Sequence, residues 1–121
     1  MVKNIFETLK VYHEAHLLVI EIYKATKSFP RHELFGLVGQ IRRASISVGA
    51  NIVEGNSRNH KKEFIQFLYL SNGSLEEVKY YLILSKDLGY LNESQYKDLQ
   101  DKAENISKMI NGLIRYLKSK S

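Results

Sequence analysis

The chain has 121 residues and no cysteine, which suits one domain-sized core and excludes both a disulfide framework and thiolate metal ligation. Lys and Arg number 18 against 13 Asp and Glu, a formal net charge of +5 with a pI near 9.4, so acidic or nucleic-acid partners are permitted but not required. The opening MVKNIFETLK lacks an apolar signal core and the greasiest run, LLVIEIY, is too short and too charged to span a bilayer, so a cytoplasmic protein with no membrane partner is expected.

The first segment carries a loose helical stripe of Leu9, Tyr12, Ala15, Val19, Ile22 and Thr26. Pro30, the only proline, ends it and suits the first turn of the next helix. That second helix is marked by Leu34, Val38, Ile41, Ser45, Val48 and Ile52, with Gly55 placed for a left-handed cap. Asn59 is positioned to cap a third, whose stripe is Phe64, Leu68, Ser71, Leu75, Val78, Leu82 and Ser85. Gly89 closes it. Asn92 and Gln95 then form a capping box, with Leu91 stapled on Tyr96, and the fourth stripe follows as Tyr96, Leu99, Ala103, Ile106, Ile110, Leu113 and Leu117. Helices of similar length joined by short turns predict an all-α, antiparallel up-down-up-down four-helix bundle, a single domain over residues 1–121.

The second and third helices are apolar on more than the core side. In QIRRASISVGANIVEG, Phe35, Gly39, Arg42, Ile46, Gly49, Ala50 and Val53 share a flank that the core stripe does not use. On the third helix Ile65, Tyr69, Gly73, Tyr80, Ile83 and Leu84 also lie off the core line. Isolated exposed apolar groups need no explanation, but patches running along two helices mark interfaces. Glycine inside a helix costs about 1 kcal/mol relative to alanine, so Gly36, Gly39 and Gly49 suggest close approach of another backbone or side chain. A homo-oligomer is expected, with Phe35, Gly39, Arg42, Ile46, Gly49, Val53, Tyr69 and Tyr80 in its interface.

Phe29, Pro30 and Glu33, the block Gln40 to Ala44 with Ser47, then Asn51, Ile52, Glu54 and Gly55, Lys62 to Phe64, and Gly73 to Glu77 together form a joint motif covering essentially the whole chain. In it the sequence resembles the four-helix-bundle proteins encoded in intervening sequences of bacterial 23S ribosomal RNA genes, and is similar to the accessory proteins of diversity-generating retroelements. Tyr12-His13 stands where a Trp is common, and NSR replaces a glycine-containing turn before Arg58. The resemblance implies a small bundle that assembles into a ring, typically a pentamer, with no established catalytic activity, no cofactor and a link to RNA or nucleoprotein.

Arg43, Ser47, Asn51, Glu54 and Gly55 are read as a structural motif: bonds and ion pairs from one helical turn to the next, with Arg43 on a carboxylate and Asn51 and Glu54 bracing the turn at Gly55 or a neighbouring subunit. No catalytic residue is assigned, since no Ser, His and carboxylate share a defensible spacing. The HEAH pair, His13 and His16, lacks companion ligands, so no metal is expected. In the expected topology one pole gathers Lys3, Lys10, Arg58, His60, Lys61, Lys62, Arg115, Lys118 and Lys120, while the other mixes its lysines with Asp87, Glu93, Asp98 and Asp101. Arg58, His60, Lys61, Lys62, Arg115 and Lys118 are the candidate contacts to RNA or another nucleic acid, against the simpler reading of a solvated basic face. A scaffold or accessory subunit for a nucleoprotein such as a reverse transcriptase is the alternative role.

Overall fold

The structure, a computed structural model, describes the backbone of residues 5–120 and the side chains of Thr8 and of residues 10–120. Four helices account for almost all of it: α1 over Ile5–Thr26, α2 over Leu37–Ser57, α3 over Lys61–Asp87 and α4 over Glu93–Ser119. Each packs on two neighbours, α1 on α2 and α4, and α3 on α2 and α4, with no close approach across either diagonal among the described residues. An up-down-up-down bundle requires this neighbour pattern. No helix among the described residues is long and apolar enough to cross a membrane.

The α3 and α4 stripes form the core as expected. Phe64, Leu68, Ser71, Leu75, Val78, Leu82 and Ser85 are all buried, and so are Leu99, Ala103, Ile106, Ile110, Leu113 and Leu117. In α2 the buried line begins at Leu37 and Val38, and Leu34 is 49% exposed because a one-turn 3-10 helix over Arg31–Glu33 precedes the α-helix. The α1 stripe holds at Ala15, Ile22 and Thr26 but shifts by one position elsewhere, where Val11 and Leu18 replace Tyr12 and Val19. Val11, Ala15, Leu18 and Ile22 are buried, whereas Tyr12 is 39% exposed; the side chain of Leu9 lies outside the described residues. LLVIEIY is apolar nearly all round, so spacing alone did not select a face.

The helix ends divide in the same way. Gly89 adopts φ 81, and Asn92 accepts from the Gln95 amide at 2.8 Å while the Gln95 side chain accepts from the Asn92 amide at 2.9 Å. Gly55, however, does not cap α2, which continues to Ser57. Nor does Asn59 cap α3: His60 occupies the N-cap position and makes no side-chain capping bond.

Gly55 is small for another reason. A Cβ there would stand 2.6 Å from the Phe67 Cβ and 2.9 Å from Phe64 Cδ1, so α3 crosses directly over the α2 backbone. Farther along the same seam the Ser71 hydroxyl donates to the Val48 carbonyl at 2.7 Å and the Ser74 hydroxyl to Ser47 Oγ at 2.9 Å. The α2–α3 pair shares the most extensive contact in the bundle. Gly55→Ala is expected to lower stability by about 1–3 kcal/mol through overpacking. At Gly112 an added Cβ meets only the Arg115 side chain, at 3.8 Å, so Gly112→Ala in α4 is expected to raise stability by about 0.5–1 kcal/mol. Thermal melts followed by circular dichroism compare the two; a neutral Gly55→Ala would contradict the close crossing.

Candidate nucleic-acid interface

The connection from α2 to α3 spans residues 58–60. It sets Lys61 and Lys62 in the first turn of α3, next to the last turns of α4. There Lys61, Lys62, Glu63, Ile65, Gln66, Tyr69 and Lys118 line a groove of about 610 Å³. Its floor is apolar, with Ile65 buried and Tyr69 43% exposed. The Lys118 ammonium lies 5.4 Å from the centre of that ring.

Three of the candidate cations therefore converge, and three do not line the groove. Arg58 is engaged by its own helix, 2.8 Å from the Glu54 carboxylate, with its guanidinium 5.0 Å from the Phe67 ring centre. His60 is exposed at the N-cap and Arg115 is exposed on α4. Lys120 rests over Tyr116, and Lys3 lies outside the described residues. Tyr69, expected with Tyr80 in an oligomer interface, lies within the single chain beside Lys118. The helical register of α3 puts Lys62 and Tyr69 on one side two turns apart, a signal that was legible, whereas the arrival of Lys118 needed the α3–α4 packing.

Three lysines elsewhere are paired with carboxylates. Lys79 bridges Glu76, at 2.9 Å, and Glu104, and also donates to Ser107 Oγ at 3.2 Å. Burial opposes its charged form, but the two carboxylates outweigh it and raise its pKa. Lys102 pairs with Asp98 and Glu21, and Lys97 with Asp101. Lys61, Lys62 and Lys118 have no ion-pair partner among the described residues.

The second apolar flank of α2 is partly consumed within the chain. Gly49 faces Ala15 of α1, whose Cβ lies 3.8 Å from an added Cβ; that is ordinary contact, and the spacing there does not require glycine. Arg42 is half-buried, donating from Nε to Thr26 Oγ1 at 3.0 Å and covering the Tyr23 ring at 4.3 Å, so it takes part in the α1–α2 contact. Gly39 is half-buried, with the Arg43 guanidinium 3.3 Å from an added Cβ. What remains open is a groove of about 430 Å³ in which Tyr12, His16 and Val19 of α1 face Ile46, Ala50 and Val53 of α2. Phe35 is 92% exposed and Tyr80 58%.

In the polar stripe, Asn51 donates to the Ser47 carbonyl at 2.9 Å and to Ser47 Oγ at 3.1 Å, and Glu54 pairs with Arg58. These are the turn-to-turn bonds expected. Arg43 departs from expectation: it pairs with no carboxylate among the described residues. His13 and His16 are exposed on α1, and no group of three His, Asp or Glu side chains stands close enough to hold a metal ion among the described residues.

The chain matches the 23S rRNA-intervening sequence protein family over residues 7–112. It belongs to that family. A solved structure from Bacteroides thetaiotaomicron, described as a protein with unknown function from the S23 ribosomal protein family, has the same fold, with a TM-score of 0.83 and 24% identity over 90% of this chain and 98% of its own. A search of curated proteins gives no match.

The motif by which the family was recognisable is largely architectural in this member. Phe29 is buried and packs on Tyr90, ring centres 5.2 Å apart. Glu33 reaches forward to accept the Leu37 amide at 3.2 Å, supplying the N-terminus of α2 with the bond that Gly36 cannot provide, and its other oxygen accepts the Tyr90 hydroxyl at 2.9 Å. One carboxylate thus ties the α1–α2 connection to the α3–α4 connection. The Leu37 amide, then the Tyr90 hydroxyl, hold the Glu33 carboxyl below its usual range, while the Tyr90 pKa is raised in return. Because the folded value lies below the unfolded one, the stabilisation is complete above about pH 4.3 and is lost as pH falls through the lowered folded value. Glu33→Gln is expected to melt below the parent at neutral pH and to converge with it in acid. Melting curves that stay parallel down to strongly acid pH would contradict the latch.

Proposed function

We propose that the protein is a non-enzymatic, self-assembling helical bundle that binds RNA or other nucleic acid through its basic pole. The observation that carries this reading is the convergence of Lys61, Lys62 and Lys118 around one groove without acidic partners, in a chain whose Lys79, Lys97 and Lys102 are all neutralised by carboxylates. Clustered unpaired cations are the electrostatic footprint of a phosphate-binding surface. A cytoplasmic setting fits such a ligand.

Self-assembly is supported by two separate apolar surfaces, the α1–α2 groove and the exposed Tyr80 and Ile83 of α3. Unlike patches on one chain suit a heterologous interface, which closes into a ring when the rotation permits; a pentameric ring is the form the family resemblance implies. Repetition of the basic pole around a ring would multiply phosphate contacts. The accessory role beside a nucleoprotein such as a reverse transcriptase would instead use the α1–α2 groove for a protein partner.

Two measurements separate these readings. Replacing Lys61, Lys62 and Lys118 together by Ala is expected to flatten the salt dependence of single-stranded RNA binding. At about 0.7 per phosphate contact, the slope of log K against log salt falls by roughly 2; an unchanged slope would remove this pole as the site. In sedimentation experiments the parent is expected to run as an oligomer and Val53→Glu, altering a side chain 52% exposed in the single chain, to run smaller with its helicity intact. A parent that is monomeric at micromolar concentration would leave the accessory role as the better reading.

A further inference from the structure

We infer that the groove at the basic pole takes an unpaired nucleotide of single-stranded nucleic acid, its base against Tyr69 and Ile65 and its flanking phosphates on Lys61, Lys62 and Lys118. The inference rests on the proposed nucleic-acid reading and goes beyond it by naming the form of the ligand. A surface that met only phosphates would need only cations, and these lysines surround an apolar floor instead. A duplex keeps its base faces stacked inside and would leave that floor uncovered. An unpaired base covers it, because every base has a flat face that stacks on an aromatic ring whatever its identity.

The volume, about 610 Å³, falls within the roughly 300–1,000 Å³ usual for small-ligand sites. Lys118 currently lies over the Tyr69 ring, a contact that is weak at exposed positions. An arriving phosphate competes for the ammonium and frees the ring. Glu63 is the one acidic group in the lining, and three lysines outnumber it.

The test compares an unstructured oligouridylate, the matching thymidine oligomer and a blunt-ended, fully paired RNA duplex, each bound to the assembled protein and read by fluorescence anisotropy. Tyr69→Leu keeps an apolar floor without a π face; Tyr69→Phe keeps the face. Tyr69→Leu is expected to weaken both single strands about 5- to 100-fold, the range given by losing one stacked base, and to leave duplex affinity within about twofold of the parent. Tyr69→Phe is expected to bind all three like the parent. The chain has no tryptophan of its own, so Tyr69→Trp supplies a reporter whose emission should be quenched by the single strands and not by the duplex. Loss on the uridine oligomer alone would restrict the ligand to RNA while supporting the stacked base. Equal loss on strands and duplex, or no loss on either, would overturn the inference. If Lys61→Ala with Lys62→Ala still weakened every substrate in that case, the nucleic-acid reading would stand without the stacked base. If the parent bound no substrate, both would fall.

Discussion

The close crossing of α2 and α3 at Gly55 is the constraint on which the rest of the bundle depends. With no Cβ on Gly55, Phe64 and Phe67 pack directly on the α2 backbone. The buried Ser71 hydroxyl, bonded to the Val48 carbonyl, then lets the helices stay near each other farther along the seam without stranding a polar group. A tight seam permits the brief connection between the two helices, and that connection fixes where the first turn of α3 emerges. Packing thereby determines the position of Lys61 and Lys62, and through them the place where positive charge collects.

Charge is arranged in two regimes on this scaffold. Along the α3–α4 and α1–α4 seams, lysines are matched with carboxylates on their own or the adjacent helix: Lys79 with Glu76 and Glu104, Lys102 with Asp98 and Glu21. Such exposed or half-exposed pairs add little stability individually. At the pole beside the α2–α3 connection the lysines instead frame an apolar floor and meet an aromatic ring. The same contrast separates apolar surfaces. The flank of α2 near Gly49 and Arg42 is occupied by α1, while Ile46, Ala50 and Val53 stay open. Internally packed and outward-facing residues alternate along one helix.

Much of the fold was legible because the core stripes of α3 and α4 run at unbroken helical spacing, and because the Asn92 and Gln95 box and the turn at Gly89 depend on local geometry alone. The failures share a physical cause. α1 is apolar around most of its circumference, so only the choice of neighbours decides that Leu18 goes in and Tyr12 stays out. Gly55 read as a cap because glycine serves both as a left-handed terminator and as a site of close approach, and only the three-dimensional crossing distinguishes the two. In the candidate site, the cluster of Arg58, His60, Lys61 and Lys62 was visible as sequence. Its division was not: Glu54 captures Arg58, and Lys118 arrives from the far end of the chain to sit over Tyr69. The polar motif of α2 was readable as turn-to-turn bonding, whereas the reach of Glu33 to Tyr90 joined two connections that no local pattern links.

The claim that one pole of this bundle is its working surface is tested most directly by mapping contacts. Single-stranded RNA carrying 4-thiouridine can be irradiated with the assembled protein and the crosslinked peptides identified by mass spectrometry. Crosslinks should concentrate on the first three turns of α3 and the last turn of α4, around Lys62, Tyr69 and Lys118. Crosslinks concentrated on the α1–α2 groove at Tyr12, Ile46 and Val53, or at the acidic pole around Asp98, would contradict it.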